Sequence, residues 1–500
     1  MACHNSLMTS VGVDLSIGSD WRPAMMANSA RDPYWQAAVR RETLDHPKAR
    51  AAIEDECSKC HMPMARFEAH AAGRVGQIFQ NLPIGQGEAR GSRLAADGVS
   101  CLLCHQVTAT GLGQRRSFVG GFDIDTARPW GQRRVFGPFE VDQGRTAIMR
   151  SAARMQPTRA DHLASSELCA TCHTLITHSL GPNGEVVGEL PEQVPYLEWQ
   201  HSSYRQTRNC QSCHMPTADE PTAISSVLGQ PRDRFSRHVF RGGNFFMMKM
   251  LTRHSADLGV QASAVELGRA ASRTQQHLQS AAASVHVACS PVEGERLDAV
   301  VTVSNLAGHK LPTAYPSRRA WLHVTVTDGA GARVFESGAL ARDGSIHGND
   351  NDADASRYEP HYRIIERPDQ VQIYEAILGD PAGGVTTGLL TATGYLKDSR
   401  LLPRGFDKTT AEPDIAVHGR AASDASFRAG EHEVRYSVNV AGARGPFRVR
   451  AELWYQPVGH RWAHNLAQQP AMETKRFVSY FRAMSSASAF QLAEASAATP

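Results

Sequence analysis

The sequence predicts an α+β multidomain protein, with a mostly helical or irregular first half followed by a β-sandwich domain. Three observations predict it. Nine of the ten cysteines lie between Cys3 and Cys213, and only Cys289 lies beyond. Helix formers interrupted by prolines run through the first half. After about residue 285 the apolar period changes from helical spacing to alternation. Five hundred residues exceed one core, so the chain divides. The expected pieces are 1–255, a connecting helix over 256–284, the β-domain over 285–480 and a helical or frayed tail over 481–500.

In the first piece, residues 31–74 hold helix formers broken at Pro33, Pro47 and Pro63. Residues 111–145, rich in Gly and Arg, read as irregular, and helix returns over 145–180. Ser263 and Glu266 form a capping box that opens the connecting helix. Beyond it, 297–303, 321–327, 370–378, 433–440 and 446–456 are strand-like. In the last of these Phe447, Val449, Ala451 and Leu453 alternate with Arg448, Arg450, Glu452 and Trp454, the pattern of a half-buried strand. "DGAGAR" at 328–333 is a turn.

Four stretches repeat one pattern: CSKCH (Cys57, Cys60, His61), CLLCH (Cys101, Cys104, His105), CATCH (Cys169, Cys172, His173) and CQSCH (Cys210, Cys213, His214). Chance predicts about 0.01 such pentapeptides in a chain of this composition. C-x-x-C-H is the attachment signature of c-type haem. Two thiols add to the two vinyl groups on one porphyrin edge, and the following histidine becomes the proximal iron ligand. Zinc is the competing reading, because paired C-x-x-C units build tetrahedral thiolate sites. Neither zinc nor a disulfide framework calls for a histidine after every second cysteine. Four porphyrin plates also suit a loop-rich chain with 7% aromatics, 41 glycines and 26 prolines.

The formal charge of +3 is small and evenly spread, without the basic clusters that nucleic acid demands. Each ferric bis-ligated haem adds about −1, so the loaded protein is near neutral. No run approaches the ~18 apolar residues of a membrane span.

The opposite iron face takes a second ligand or stays open. Histidines outside the motifs are candidates: His70, His162, His238 and His309, with His46, His178, His201 and His254 in reserve. Met26 is a thioether candidate, against the plainer reading of a core methionine. Asp350, Asp352 and Asp354 alternate in an oxygen-rich loop that offers a calcium site. The EF-hand pattern fails there, because position six is not Gly and position twelve is His361.

The residues "CHMP" at His61 and His214, "GVSCLLCHQ" (98–106), "SELCATCHT" (166–174), and Glu198, Trp199, Ser202 and Tyr204 before "CQSCHMP" carry a likeness. With them the chain resembles the multihaem c-type cytochromes, of the tetrahaem electron-carrier kind associated with nitrogen-compound oxidation. "GHKLPTAYPSRR" (308–319) is similar to a loop in the β-domains of several of them, where the histidine is axial. In relatives the last position of a Trp element is often a histidine ligand; here those positions hold Met26 and Tyr204. The resemblance implies electron transfer with redox proteins or quinol-linked donors. Two alternatives stand beside it. One is an oxidoreductase acting on a small nitrogen or sulfur compound at an open iron. The other is a binding module whose β-domain docks a partner.

The chain opens "MACH". One cysteine ahead of Met1 would complete a fifth motif through Cys3 and His4. The expectation is a truncated N-terminus whose missing part carries that cysteine and an export signal. The protein is then periplasmic or otherwise extracytoplasmic, with four haems from complete motifs and a fifth natively.

Overall fold

The computed structural model describes residues 2–499. Met1, the first variable residue of the expected fifth motif, lies outside them. The architecture is α+β multidomain, as expected. Two compact units are present, each assembled from separated segments. The first comprises 1–39, 49–174 and 208–274; the second comprises 40–48, 175–207 and 275–500.

The first unit holds short helices and irregular chain. Each cysteine motif occupies about one helical turn. CSKCH ends the helix Arg50–His61, CLLC forms Cys101–Cys104, CATCH begins in Ser166–Ala170, and CQSCH forms Cys210–His214. One turn puts residues i, i+3 and i+4 on one face, so both thiols and the imidazole project together. The last turn starts sharply because the Asn209 side chain accepts the Ser212 amide at 2.9 Å. Residues 145–180 are not continuous helix. After Gln143–Ala153 come the strand Gln156–Arg159, the motif turn and the strand Leu175–Leu180. The left-handed Arg154 (φ 55) ends the first helix.

Asp20 binds this unit together. It is 3% exposed and accepts a fork from Arg237 at 2.8 and 2.9 Å and a third bond from Arg273 at 3.1 Å. The capping box is made as expected: the Ser263 amide reaches Glu266 Oε2 at 2.8 Å, and the Glu266 amide returns to Ser263 Oγ at 3.3 Å. The helix it opens spans Ala264–Ala281, shorter than 256–284.

The second unit contains two five-stranded sheets. In one, the neighbours run 333–337, 319–327, 448–456, 490–498, with 373–374 also on the 319–327 strand. In the other they run 364–365, 431–439, 296–305, 283–289, with 427–428 also on the 431–439 strand. The 364–365 pairing is parallel and the rest are antiparallel. The expected tail is instead the strand Phe490–Ala498, paired along 448–456. Its Ala/Ser composition hides a strand that is held by its neighbour.

That neighbour is central, which corrects the half-buried reading. Val449, Ala451 and Leu453 are fully buried as expected, but Glu452 is buried too and accepts from His323 Nδ1 at 2.7 Å. Trp454 lies over Trp321, ring centres 6.2 Å apart. Trp321, Ile346, Val371, Ile373 and Ala489 form one core cluster. Fully burying a side chain of this kind contributes ~1.5–3 kcal/mol.

Buried charge fixes the loop 308–319. Lys310 Nζ reaches Asp398 Oδ2 at 2.7 Å, Asp398 takes a fork from Arg400 at 2.7 and 2.9 Å, and Arg400 pairs with Glu198 at 3.0 Å. Glu198 Oε2 accepts the Lys310 amide at 3.1 Å and closes the circuit. Burial raises the Asp398 carboxyl, but Arg400 and Lys310 outweigh it and hold it well below the usual range. The left-handed Ala314 (φ 67) costs ~1–2 kcal/mol in this loop. Asp398 contributes fully above its unfolded value of ~3.9, and that contribution is lost as pH falls through the lower folded value. Lys310→Met removes one cation from this buried circuit. It should destabilise by roughly 3 kcal/mol and move acid unfolding to higher pH, read by far-ultraviolet circular dichroism in urea and acid titrations.

Candidate functional site

The cysteines do not gather as a tetrahedral thiolate set among the described residues. Among the described residues, the histidines, thiols and carboxylates that converge as a metal set are His361, Asp424 and His432, and no cysteine belongs to it. The thiols instead meet in pairs across motifs. Cys60 and Cys172 are hydrogen-bonding neighbours, as are Cys169 and Cys210. Cys104 feels the charge of Cys172, and burial pushes its thiol up to about 12. The bond from Cys169 pulls the Cys210 thiol down to about 7. The third motif therefore adjoins the other three. Gly120 helps bring motifs one and three together: its amide donates to Thr171 O at 2.6 Å. A Cβ there would stand 2.9 Å from Lys59 Cβ, and the φ of +71° is left-handed, so glycine is required.

Three of the motif histidines share one kind of hydrogen bond. Nδ1 donates to a backbone carbonyl in His61 (Ser29 O, 3.1 Å), His105 (Phe136 O, 2.6 Å) and His214 (Arg241 O, 2.6 Å). His4 does the same, to Ile224 O at 2.6 Å. A proton held on Nδ1 leaves the Nε2 lone pair free, the tautomer of an imidazole that ligates through Nε2. Burial also lowers the His61 pKa to about 4, which keeps the ring neutral as a ligand must be. Trp35 stacks flat on His61, ring centres 4.3 Å apart and 2° from parallel.

His238 stands opposite His105. Their ring centres are 6.3 Å apart and their planes 20° from parallel. Two imidazoles each bound through one nitrogen at ~2.0–2.1 Å to a shared metal have ring centres about 6 Å apart. His238 Nδ1 donates to Ser236 O at 3.1 Å, and burial, reinforced by the His105 charge, lowers its pKa to about 4. Of the four expected second ligands, this one is brought to a motif histidine.

The other candidates sit as follows. His70 is half exposed, with Nε2 3.0 Å from Arg66 and 3.8 Å from Asp55. His162 packs on the second motif, but its Nε2 donates to Val107 O at 2.8 Å, so only Nδ1 can accept. His309 Nδ1 donates to Lys310 O at 2.9 Å, and burial lowers its pKa. Its loop is the one fixed by the buried charges. Among the reserves, His201 shows the ligand-like bond, Nδ1 to Leu197 O at 3.0 Å. His46 Nε2 lies 3.3 Å from Thr391 Oγ1, His178 is exposed beside Glu189, and His254 closes the helix Phe245–Arg253. Met26 presents its carbonyl to the Val99 amide at 3.0 Å, just before the second motif. Tyr204 commits its hydroxyl to Leu306 O at 2.8 Å.

The calcium loop is spent on other partners. Asp352 makes a fork to Arg319 at 2.8 and 2.9 Å, Asp350 pairs with Arg357 at 2.7 Å, and Asp354 accepts from Ser356. Asp350 and Asp352 lie in the short helix Asp350–Ala353, and Asp354 follows it.

No protein-family model matches the chain, and no curated protein matches its sequence. The chain is similar in fold to a solved structure, the penta-heme cytochrome c552 from Thermochromatium tepidum. The TM-score is 0.54 at 17% identity, over 96% of this chain and 95% of that one.

Proposed function

We propose that the chain is an extracytoplasmic multihaem c-type cytochrome that carries electrons. Its haems are attached at the four C-x-x-C-H turns, with a fifth site at Cys3 and His4. The observation that carries the reading is the placement of His105 and His238, whose ring centres lie 6.3 Å apart and whose Nδ1 atoms both donate to backbone carbonyls. The carbonyl bonds at His61, His214 and His4 support the same role at the other sites. The fold shared with a protein named as a penta-heme cytochrome agrees with it.

Covalently bound haem supplies a one-electron ferric/ferrous couple. The chain's residues do the rest. Paired thiols on each turn would hold the haem, the carbonyl bonds would orient the motif imidazoles toward it, and His238 would supply the second ligand at motif two. His309 and His162 are proposed second ligands elsewhere, with His201 added by its Nδ1 bond. An extracytoplasmic location follows from the attachment chemistry, and redox proteins or quinol-linked donors are the proposed partners. For the alternative, an oxidoreductase at an open iron, Tyr204 is not an available donor, since its hydroxyl already bonds a carbonyl.

Intact mass of protein made in an exporting, haem-maturing host should exceed the chain by four haem masses, or five with Cys3 joined. Alkylation should then leave the motif cysteines unlabelled and mark Cys289. A mass equal to the bare chain ends the reading. His238→Ala should convert one haem from low to high spin and let the reduced protein bind carbon monoxide. Carbon monoxide binding by the unaltered protein would favour the oxidoreductase instead.

A further inference from the structure

We propose a second kind of metal site in the β-rich unit: His361, Asp424 and His432 bind one divalent transition ion of the zinc class. All three are buried, and their ligand atoms lie within 4.8 Å of one another. Asp424 Oδ2 is 2.9 Å from His361 Nε2 and 3.4 Å from His432 Nε2. Two atoms bound at ~2.0–2.1 Å to one ion, with angles between 90° and 109°, stand about 2.9–3.4 Å apart. Two histidines and a carboxylate are a set that divalent transition ions take.

A second observation points into the same space. His432 is 0% exposed, and its Nε2 makes no hydrogen bond. Nε2 lies 3.4 Å from Asp424 Oδ2, while Nδ1 lies 3.0 Å from the Tyr374 hydroxyl. A cation between Nε2 and Oδ2 satisfies both.

The surroundings hold the set rigid. Asp424 Oδ1 accepts the Ser426 amide and hydroxyl, each at 2.9 Å, which leaves Oδ2 for the imidazoles. Lys408 Nζ ties the carbonyls of Ala421, Asp424 and Phe427 into one turn. Phe427 presents its ring to both imidazoles, centres 5.2 and 5.3 Å away, and forms an apolar wall. Arg363, 3.5 Å from Asp424 Oδ1, is the nearby exposed cation. The 364–365 and 427–428 strands both pair along the edge of the 431–439 strand that 296–305 leaves open, so the ion would cross-link the 361–365 and 424–428 segments to it.

Occupation carries one structural requirement. Nε2 of His361 must be free of its proton, so Nδ1 carries it. The Gln372 amide nitrogen, 3.2 Å from that Nδ1, must then turn away and present its oxygen, which now accepts from the Tyr362 amide at 2.9 Å. Gln372→Glu supplies an acceptor to both donors without turning and should tighten the site. Outer-shell partners of this kind change metal affinity 10–100-fold.

The test uses the full haem-loaded chain, stripped with chelator, equilibrated with Zn²⁺ alone and desalted. Elemental analysis should find about one zinc per chain, with iron unchanged. Asp424→Asn and His432→Gln should each lose the zinc at unchanged haem content. Gln372→Glu, which keeps every ligand, should hold zinc about 10-fold more tightly in chelator competition. It decides the matter where the ligand variants fail to fold. Absence of zinc from the unaltered chain, zinc retained in both ligand variants, or no tightening in Gln372→Glu overturns the proposal.

Discussion

An imidazole has two nitrogens, and a ligand histidine must give one away before it can use the other. This constraint organises the first unit. His4, His61, His105 and His214 each commit Nδ1 to a backbone carbonyl from a distant segment: Ile224, Ser29, Phe136 and Arg241. Each carbonyl brings irregular chain to a motif turn. A loop-rich unit with little sheet can be ordered because such bonds specify its long-range contacts. Asp20, gathering Arg237 and Arg273, does the same with charge.

The second unit uses a different physics. Its sheets bury Trp321, Val449 and Leu453 completely, and the circuit of Lys310, Asp398, Arg400 and Glu198 fixes a loop that carries His309. The same loop meets Tyr204 and Trp199 through Gly308, whose Cβ position lies 3.4–3.5 Å from both rings. Tyr204 is held on both counts, because its ring packs there and its hydroxyl bonds Leu306 O.

Much of this was legible in the residues. C-x-x-C-H needs only five neighbours in sequence, the capping box four, and the β-rich runs at 297–303 and 433–440 mark the strands at 296–305 and 431–439. His238 was legible as a candidate but not as the neighbour of His105, because 132 intervening positions carry no record of the pairing. The strand at 490–498 was read as a tail because Ala and Ser have little strand preference, and pairing along 448–456 overrides propensity. Asp350, Asp352 and Asp354 looked like ligands because one sequence cannot reveal that Arg319 and Arg357 would claim two of them. His361, Asp424 and His432 lie on three segments with no common spacing, so convergence was invisible before folding.

The thiol contacts have a consequence for connectivity. Cys172 adjoins Cys60 and Cys104, and Cys169 adjoins Cys210. In space the cysteine turns do not follow chain order: the third neighbours the first, second and fourth, so a substitution within it disturbs three other turns at once, whatever their separation in sequence.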